Sequence, residues 1–193
     1  MNIGENALDT TPSTFRLMLF LELKEWLVSI VLAIVAVVVI QNYFYLPTMV
    51  SGESMMPNLV NGERFLANRF IYYFKEPSYG EIITFHANSE RDYVKRVIAI
   101  EGQNVKVKDD KLFIDDKLVG EPYLTEYRTA AERQGHSFTE DFGPVTVPKG
   151  KIFVLGDNRT NSLDSRIIGS IDKRDIIGRA DLVFWPVTNF RYP

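Results

Sequence analysis

The chain contains no cysteine, only two histidines (His86 and His136), and no excess of basic residues. Without cysteine it can form neither a disulfide bond nor a thiolate zinc site, and it has no cysteine nucleophile. Two histidines leave a histidine-based metal site little to build on. The formal net charge is −3, which argues against binding to nucleic acid. The composition therefore argues against a cysteine or histidine metal site and against a nucleic-acid partner.

Long apolar runs are also scarce, since the chain has one, near the N-terminus. No charged residue occurs between Trp26 and Gly52, and residues 26–46 are mostly Leu, Val, Ile and Ala. A helix of about 21 residues spans roughly 30 Å, the thickness of the bilayer's hydrocarbon core. A cleavable signal peptide would be shorter and would end in a small-x-small site. A buried helix of a soluble protein would rarely be apolar on every face. We predict a transmembrane anchor at 26–46.

The charges that flank this run indicate its orientation. Arg16 and Lys24 precede it, whereas no Lys or Arg occurs between Pro47 and Glu63. This asymmetry favours a cytoplasmic N-terminus, although acidic residues before the run weaken it. We therefore expect residues 1–25 to form a cytoplasmic tail and residues 47–193 to form an extracytoplasmic domain.

The part of the chain beyond the anchor lacks sustained helical periodicity. Short apolar runs alternate with turn residues, as in Lys111–Ile114 and Lys151–Leu155, which is typical of β-strands. Asp109-Asp110 indicates a hairpin turn. Residues 122–144 are polar and irregular, and we interpret 103–150 as an inserted cap or meander. The fold class predicted is mainly β, on one helical anchor.

The first candidate for chemistry is Ser54, in the segment Ser-Gly-Glu-Ser-Met-Met-Pro that follows the anchor. One interpretation is a tight turn in which Ser54 is a hydrogen-bonding turn residue and the methionines are packing. The other is a nucleophile, and a serine nucleophile needs a neighbouring base. Neither histidine has a recognisable catalytic context, and no Gly-x-Ser-x-Gly segment is present. Lysine is the other established base for serine.

The candidate base is Lys95, in the predicted strand Tyr93–Ile100. Alternation along a strand places Lys95 and Arg96 on opposite faces, both mainly apolar. If Lys95 is desolvated, its pKa falls because burial penalises the charged form. To act near neutral pH, that pKa must fall by roughly three units from ~10.4. The alternative is an edge-strand lysine whose ammonium reaches water, and this strand alone does not decide between the two.

The third candidate segment, residues 156–166, lies between two apolar strands and is dense in short polar side chains. Such residues often hold a loop by side-chain-to-backbone hydrogen bonds. Within it, the hydroxyl of Ser162 can orient the lysine, and Asp164 can pair with Arg166 or Arg96. A polar surface turn is the alternative.

Together these segments resemble the bacterial type I signal (leader) peptidase family, in its smaller, single-anchor form typical of Gram-positive bacteria. The matching text is Ser-Gly-x-Ser-Met-x-Pro at 51–57, Tyr-Val-Lys-Arg-Val-Ile at 93–98 and Gly-Asp-Asn-Arg-x-x-Ser-x-Asp-Ser-Arg at 156–166. Gly-Glu-Ile-Ile at 80–83 resembles a further short strand of the family. Each segment alone is a weak signal, but three in this order behind one membrane helix are specific.

The resemblance implies a membrane-bound serine endopeptidase that removes signal peptides from exported preproteins, with a serine–lysine dyad and no cofactor. It implies Ser54 as nucleophile and Lys95 as general base. It implies further that Ser162 orients the lysine, that Asp164, Arg166 and Arg96 form a supporting ion-pair cluster, and that Met55 lines the substrate pocket.

Two positions depart from the family pattern. Gly52 offers no hydroxyl where some relatives have a serine that helps to hold the oxyanion, so the oxyanion hole would depend on backbone N–H groups, such as that of Ser54. Asn58 stands where the family commonly has threonine. From the sequence this second change looks minor.

Two other functions stay open. A self-cleaving serine–lysine protease of the repressor type would need an internal cleavage site, for which Thr129-Ala130-Ala131 is the only faint candidate. A non-catalytic, membrane-tethered β module that scaffolds export components would not need Ser54 or Lys95. The expected partners under the first hypothesis are preproteins and the lipid bilayer; the sequence does not indicate an oligomeric state.

Overall fold

The computed structural model describes residues 12–193, which divide into two units at Asn42 and Tyr43. The described part of the first unit is one helix, α1, at Pro12–Tyr43. Within it, Phe15–Gln41 is long and apolar enough to cross a membrane. Large apolar side chains are exposed on every side of this helix, as expected of a helix surrounded by lipid.

The predicted boundaries of the anchor and tail can be set beside this helix. Residues 1–11 of the predicted tail lie outside the described residues. The helix begins at Pro12 and therefore includes residues 12–25, before the predicted span at 26–46. The division into tail, span and domain stays a prediction.

The second unit, residues 43–193, consists mainly of antiparallel strands, which confirms the predicted fold class. The larger sheet has seven strands: β1 (Tyr45–Met49), β2 (Arg64–Asn68), β3 (Ile82–His86), β4 (Asp92–Ile100), β9 (Lys151–Leu155), β10 (Ile171–Asp172) and β11 (Ile176–Trp185). Their spatial order is β1-β2-β11-β3-β4-β9-β10. The strands β1 and β2 are therefore neighbours at one edge, whereas β4 lies inside the sheet.

A second sheet of four strands lies within the segment predicted as an inserted cap. Its strands are β5 (Asn104–Lys108), β6 (Lys111–Ile114), β7 (Lys117–Val119) and β8 (Phe142–Thr146). Asp109 and Asp110 join β5 to β6 with φ of 50° and 58°, in the left-handed region that a two-residue hairpin turn requires. A helix, α2 (Thr125–Arg133), occupies part of the region that the sequence analysis interpreted as a loop or small cap.

Buried apolar side chains hold the two sheets together and fix the segment that carries Ser54. One cluster combines residues of both sheets, including Ile98, Val105 and Phe153. Another places Met55 and Leu59, from the β1–β2 connection, against side chains of the larger sheet. Burial of each such side chain contributes about 1.5–3 kcal/mol. Its own buried residues, Met55 and Leu59, therefore anchor the β1–β2 connection to the larger sheet.

An ion pair between the buried carboxylate of Glu63 and the partly exposed Arg191 also closes this connection. Glu63 accepts hydrogen bonds from Arg191 (2.7 Å) and Asn189 (2.9 Å) near the C-terminus and from the N–H of Val60 (2.9 Å). Burial alone would raise the pKa of Glu63, but these hydrogen bonds and the Arg191 charge outweigh it and lower the pKa to about 2. The carboxylate therefore stabilises the folded chain in its charged form.

We expect Glu63→Gln to lower the free energy of unfolding by about 2–3 kcal/mol at neutral pH. A depressed pKa contributes stability above the unfolded value near 4.5, and this stability is lost as pH falls from there through about 2. The difference between wild type and variant should therefore shrink over that window. Urea denaturation of the detergent-solubilised protein at several pH values measures it. Glu90→Gln, in an exposed turn, is the matched control, and an equal effect there would refute the assignment.

Candidate active site

The connection between β1 and β2 holds Ser54 in a fixed loop, which we call the nucleophile loop (residues 50–63). Its ends are closed by hydrogen bonds between Val50 and Glu63 (2.8 Å) and between Gly62 and Val50 (2.9 Å). Gly52 has a φ of 94° and donates its N–H to Asn61 Oδ1 (3.0 Å). A side chain at this φ would strain the backbone. The backbone conformation at position 52 therefore favours glycine over a residue with a hydroxyl side chain.

Lys95 reaches Ser54 from the neighbouring strand β4. Its Nζ donates hydrogen bonds to Ser54 Oγ (2.7 Å) and to the carbonyl of Val94 (3.0 Å). The lysine is 4% exposed, so its ammonium does not extend into water as the edge-strand alternative would require. The two residues that the sequence analysis selected from segments 41 residues apart are therefore in direct contact.

Burial lowers the pKa of Lys95 from 10.5 to about 8, although the charges of Asp164 and Asp157 raise it in opposition. About a tenth of the molecules then carry a neutral lysine at pH 7, compared with a few in ten thousand for an unperturbed lysine. The neutral amine can accept the Ser54 proton while it still donates to the Val94 carbonyl. The geometry therefore allows a desolvated amine to take the proton of this serine.

The backbone of Ser54 is held from behind by the segment after β9, which we call the polar loop (residues 156–166). Asn158 donates its N–H to the Ser54 carbonyl (3.0 Å) and its side-chain amide to the Glu53 carbonyl (3.2 Å). A Cβ on Gly156 would lie 2.2 Å from Ser162 Oγ and 2.5 Å from the Ser54 carbonyl oxygen. Only glycine allows the polar loop to approach Ser54 this closely.

Arg96 forms a buried ion pair, and its partner is Asp157. The guanidinium binds both carboxylate oxygens, Nε to Oδ1 at 2.8 Å and Nη2 to Oδ2 at 2.7 Å. It also donates to the Gly80 carbonyl (2.7 Å), and the Tyr123 ring covers it at 4.0 Å. Sequence reasoning considered Arg96 as a partner of Asp164 and missed Asp157, which was nevertheless visible in the Gly-Asp-Asn-Arg text of the polar loop.

Asp164 pairs with Arg166 at the start of the short helix α3 (Ser165–Ile168). Its carboxylate accepts two hydrogen bonds from that guanidinium (2.9 and 2.8 Å) and one from the Gly156 N–H (3.0 Å). Burial would raise the pKa of Asp164, but the Arg166 and Gly156 hydrogen bonds outweigh it and lower the pKa below its usual range. Asp164 therefore stays ionised and holds the polar loop by one buried side chain.

Ser162 lies near these groups but does not bond to the lysine. Its hydroxyl is buried beside the Asp164 carboxylate and makes no hydrogen bond of good geometry within residues 12–193. The hydrogen bonds of Lys95 Nζ go to Ser54 and Val94. The role expected of Ser162 in orienting the lysine stays a prediction.

A cleft of about 750 Å³ passes over Ser54 and Lys95, between segments that include residues 48–55 and 92–95. Gly52 and Met55 line it, whereas neither histidine does. Both walls include backbone at a free strand edge: β1 pairs with β2 alone, and β4 pairs with β9 only from Arg96 onward. Unpaired edges of this kind accept an extended peptide as an added strand. The cleft therefore suits a polypeptide substrate.

Comparisons with known proteins identify the family of this chain. The sequence profile described as "Signal peptidase, peptidase S26" matches residues 23–185. "Signal peptidase I T" of Bacillus subtilis is 43% identical over 169 residues, which is 86% of this chain and 88% of the relative. "Signal peptidase IB" of Staphylococcus aureus is 39% identical over 181 residues, 89% of this chain and 94% of the relative.

A solved structure is also similar, a signal peptidase I from Enterococcus faecalis. It is 33% identical, with a TM-score of 0.48, and the match covers 54% of this chain and 97% of that one. The profile match and the high coverage of relatives near 40% identity confirm the resemblance seen in the sequence. The chain belongs to the peptidase S26 family of signal peptidases.

Proposed function

We propose that this protein is a membrane-bound serine endopeptidase that removes signal peptides from exported preproteins, with Ser54 as nucleophile and Lys95 as general base. The observation that carries the proposal is the 2.7 Å hydrogen bond between Lys95 Nζ and Ser54 Oγ, made by a buried lysine. The relatives are signal peptidases I, and they supply the substrate class of this proposal.

In the acylation step, neutral Lys95 takes the proton of Ser54 Oγ while that oxygen attacks the scissile carbonyl carbon. The C=O electron pair moves onto oxygen to form a tetrahedral oxyanion. The N–H of Ser54 donates to no acceptor within residues 12–193, so it is available to hold this oxyanion. Because Gly52 offers no hydroxyl, a backbone N–H has to supply this hydrogen bond. The carbon–nitrogen bond then breaks, and the leaving amine takes the proton from Lys95.

In the second step, water hydrolyses the acyl-enzyme with Lys95 again as base. The products are a signal peptide with a free carboxylate and a mature protein with a free α-amino group. In this proposal Asp164, Arg166, Arg96 and Ser162 support the lysine, and Met55 forms part of a shallow pocket for the small residue before the cut. Helix α1 would anchor the enzyme with its N-terminus in the cytoplasm and residues 47–193 outside, where signal peptides emerge.

The first test replaces the base. We expect detergent-purified wild-type protein to cleave a preprotein after a small residue, and Lys95→Met to lower the rate about 10²–10⁴-fold, because methionine keeps the length of the side chain without its amine. Gel or mass-spectrometric analysis of the products measures this. Lys106→Met, in strand β5 of the smaller sheet, is the matched control. Unchanged cleavage by a folded Lys95→Met protein would rule out this base, and no cleavage by wild type would favour the scaffold hypothesis.

The second test is the pH dependence of kcat/KM. Because the lysine must be neutral, and its pKa is about 8, kcat/KM should rise with pH and level off above about pH 8. The Asp164 charge raises the pKa of Lys95, so Asp164→Asn removes that effect and should move this rise to lower pH. A rise centred near pH 6.5 in wild type, as for an ordinary histidine, would contradict the proposal.

A further inference from the structure

Asn58 joins four segments that are far apart in the sequence. Its Nδ2 donates hydrogen bonds to Asp157 Oδ2 in the polar loop (2.9 Å) and to the Tyr123 carbonyl in the cap region (3.2 Å). The backbone carbonyl of Asn58 accepts a hydrogen bond from Arg191 Nη2 near the C-terminus (2.7 Å). The partners are 99, 65 and 133 residues away. The residue that looked like a minor family variation is thus a junction.

The side-chain chemistry of asparagine matches both of its acceptors. One nitrogen carries two N–H groups that diverge, and here one points to a carboxylate and the other to a carbonyl. Threonine has a single O–H donor and a shorter side chain, and aspartate has no donor when ionised. Either replacement would remove at least one of the two hydrogen bonds that the Asn58 side chain donates.

The junction is linked to both members of the dyad. On its far side Asp157 binds Arg96, the residue after Lys95, and the next residue, Asn158, donates to the Ser54 carbonyl. Asn58 adds a direct bond from the nucleophile loop itself to the same carboxylate. Near Ser54 the loop is also held by the Asn158 hydrogen bonds to the Ser54 and Glu53 carbonyls and by the burial of Met55 and Leu59. The Asn58 side chain adds to these a hydrogen bond to Asp157, the residue before Asn158.

We propose that Asn58 is a positioning residue that sets the location of Ser54 Oγ relative to Lys95 Nζ. The inference deepens the serine–lysine peptidase function proposed above. Because Asn58 is uncharged and Arg96 still holds Asp157 without it, the pKa of Lys95 should not change when Asn58 is lost. A displacement of the nucleophile by about 1 Å lowers the chemical rate on the order of 10²-fold. The expected signature is therefore a slower chemical step at an unchanged pH midpoint.

The test is single-turnover cleavage of a preprotein with enzyme in excess, measured from pH 6 to 10. At saturating enzyme the rate constant reports the folded enzyme–substrate complex, because a misfolded fraction only lowers the concentration of active enzyme, which stays above that of the preprotein. We expect Asn58→Ala to reduce the rate constant about 10- to 100-fold, with the enzyme concentration at half-maximal rate within about twofold of wild type and the pH midpoint unmoved. Asn58→Thr, which retains one donor, should be intermediate.

The matched control is Asn68→Ala. Asn68 also donates its side-chain amide to a carboxylate, Asp181 Oδ2 (2.7 Å), but it does not line the cleft. We expect this variant to keep the wild-type rate constant even if its urea midpoint falls. A rate constant for Asn58→Ala within twofold of wild type, a shift of its pH midpoint by a unit, or an equal loss in Asn68→Ala would each overturn the proposal.

A second readout separates this proposal from the proposed function. In Ser54→Cys protein, the Lys95 ammonium should hold the thiol pKa below its usual value near 8.5. The pH dependence of alkylation by iodoacetamide measures that pKa without any peptidase substrate. We expect Asn58→Ala to raise it and Asn68→Ala to leave it unchanged. Failure of wild type to cleave would refute the peptidase, while an unaltered thiol pKa in Asn58→Ala would refute the positioning role.

Discussion

The ion pair between Arg96 and Asp157 is the interaction on which the rest of the site depends. Removing two charges from water is costly, and it is offset only when their geometry is good and their other hydrogen-bonding groups are satisfied. Here Arg96 bonds both carboxylate oxygens and Gly80, and the ring of Tyr123 lies over it. Because adjacent residues of a strand point to opposite faces, this pair on one face of β4 fixes where Lys95 lies on the other.

The same arrangement explains how a lysine near two carboxylates can lose its proton close to neutral pH. Asp157 and Asp164 both raise the pKa of Lys95. Each of them is paired with an arginine of its own, Arg96 or Arg166, so the field that reaches the lysine is reduced. Burial then has the larger effect. The carboxylates can order the polar loop without keeping the lysine charged.

Local pattern was sufficient to predict the strands, and the family motifs selected Ser54 and Lys95, which the structure brings into contact. Neither signal predicted the groups that surround this pair. Alternation separated Lys95 from Arg96, and the turn residues Asp109-Asp110 marked the β5–β6 hairpin that the structure contains. The Arg96–Asp157 pair joins residues 61 apart, a contact that neither periodicity nor spacing encodes. Helix α2 was missed because it is short and polar and lies among turn residues. Gly52 was read as a lost hydroxyl, whereas its φ of 94° is a property that only coordinates reveal.

The two unpaired strand edges beside Ser54 have a consequence for how a chain can be recognised there. Every polypeptide carries the same repeating N–H and C=O groups. Binding through backbone hydrogen bonds to a free strand edge therefore depends little on most side chains of the bound peptide. Selection among peptides then depends on the size of the side chain that lies beside Met55 and on whether the segment can lie fully extended. A folded domain cannot supply such a segment without unravelling. A cleft of this kind therefore selects its substrate first by whether the segment is extended and only then by its side chains. One such cleft can bind many unrelated sequences.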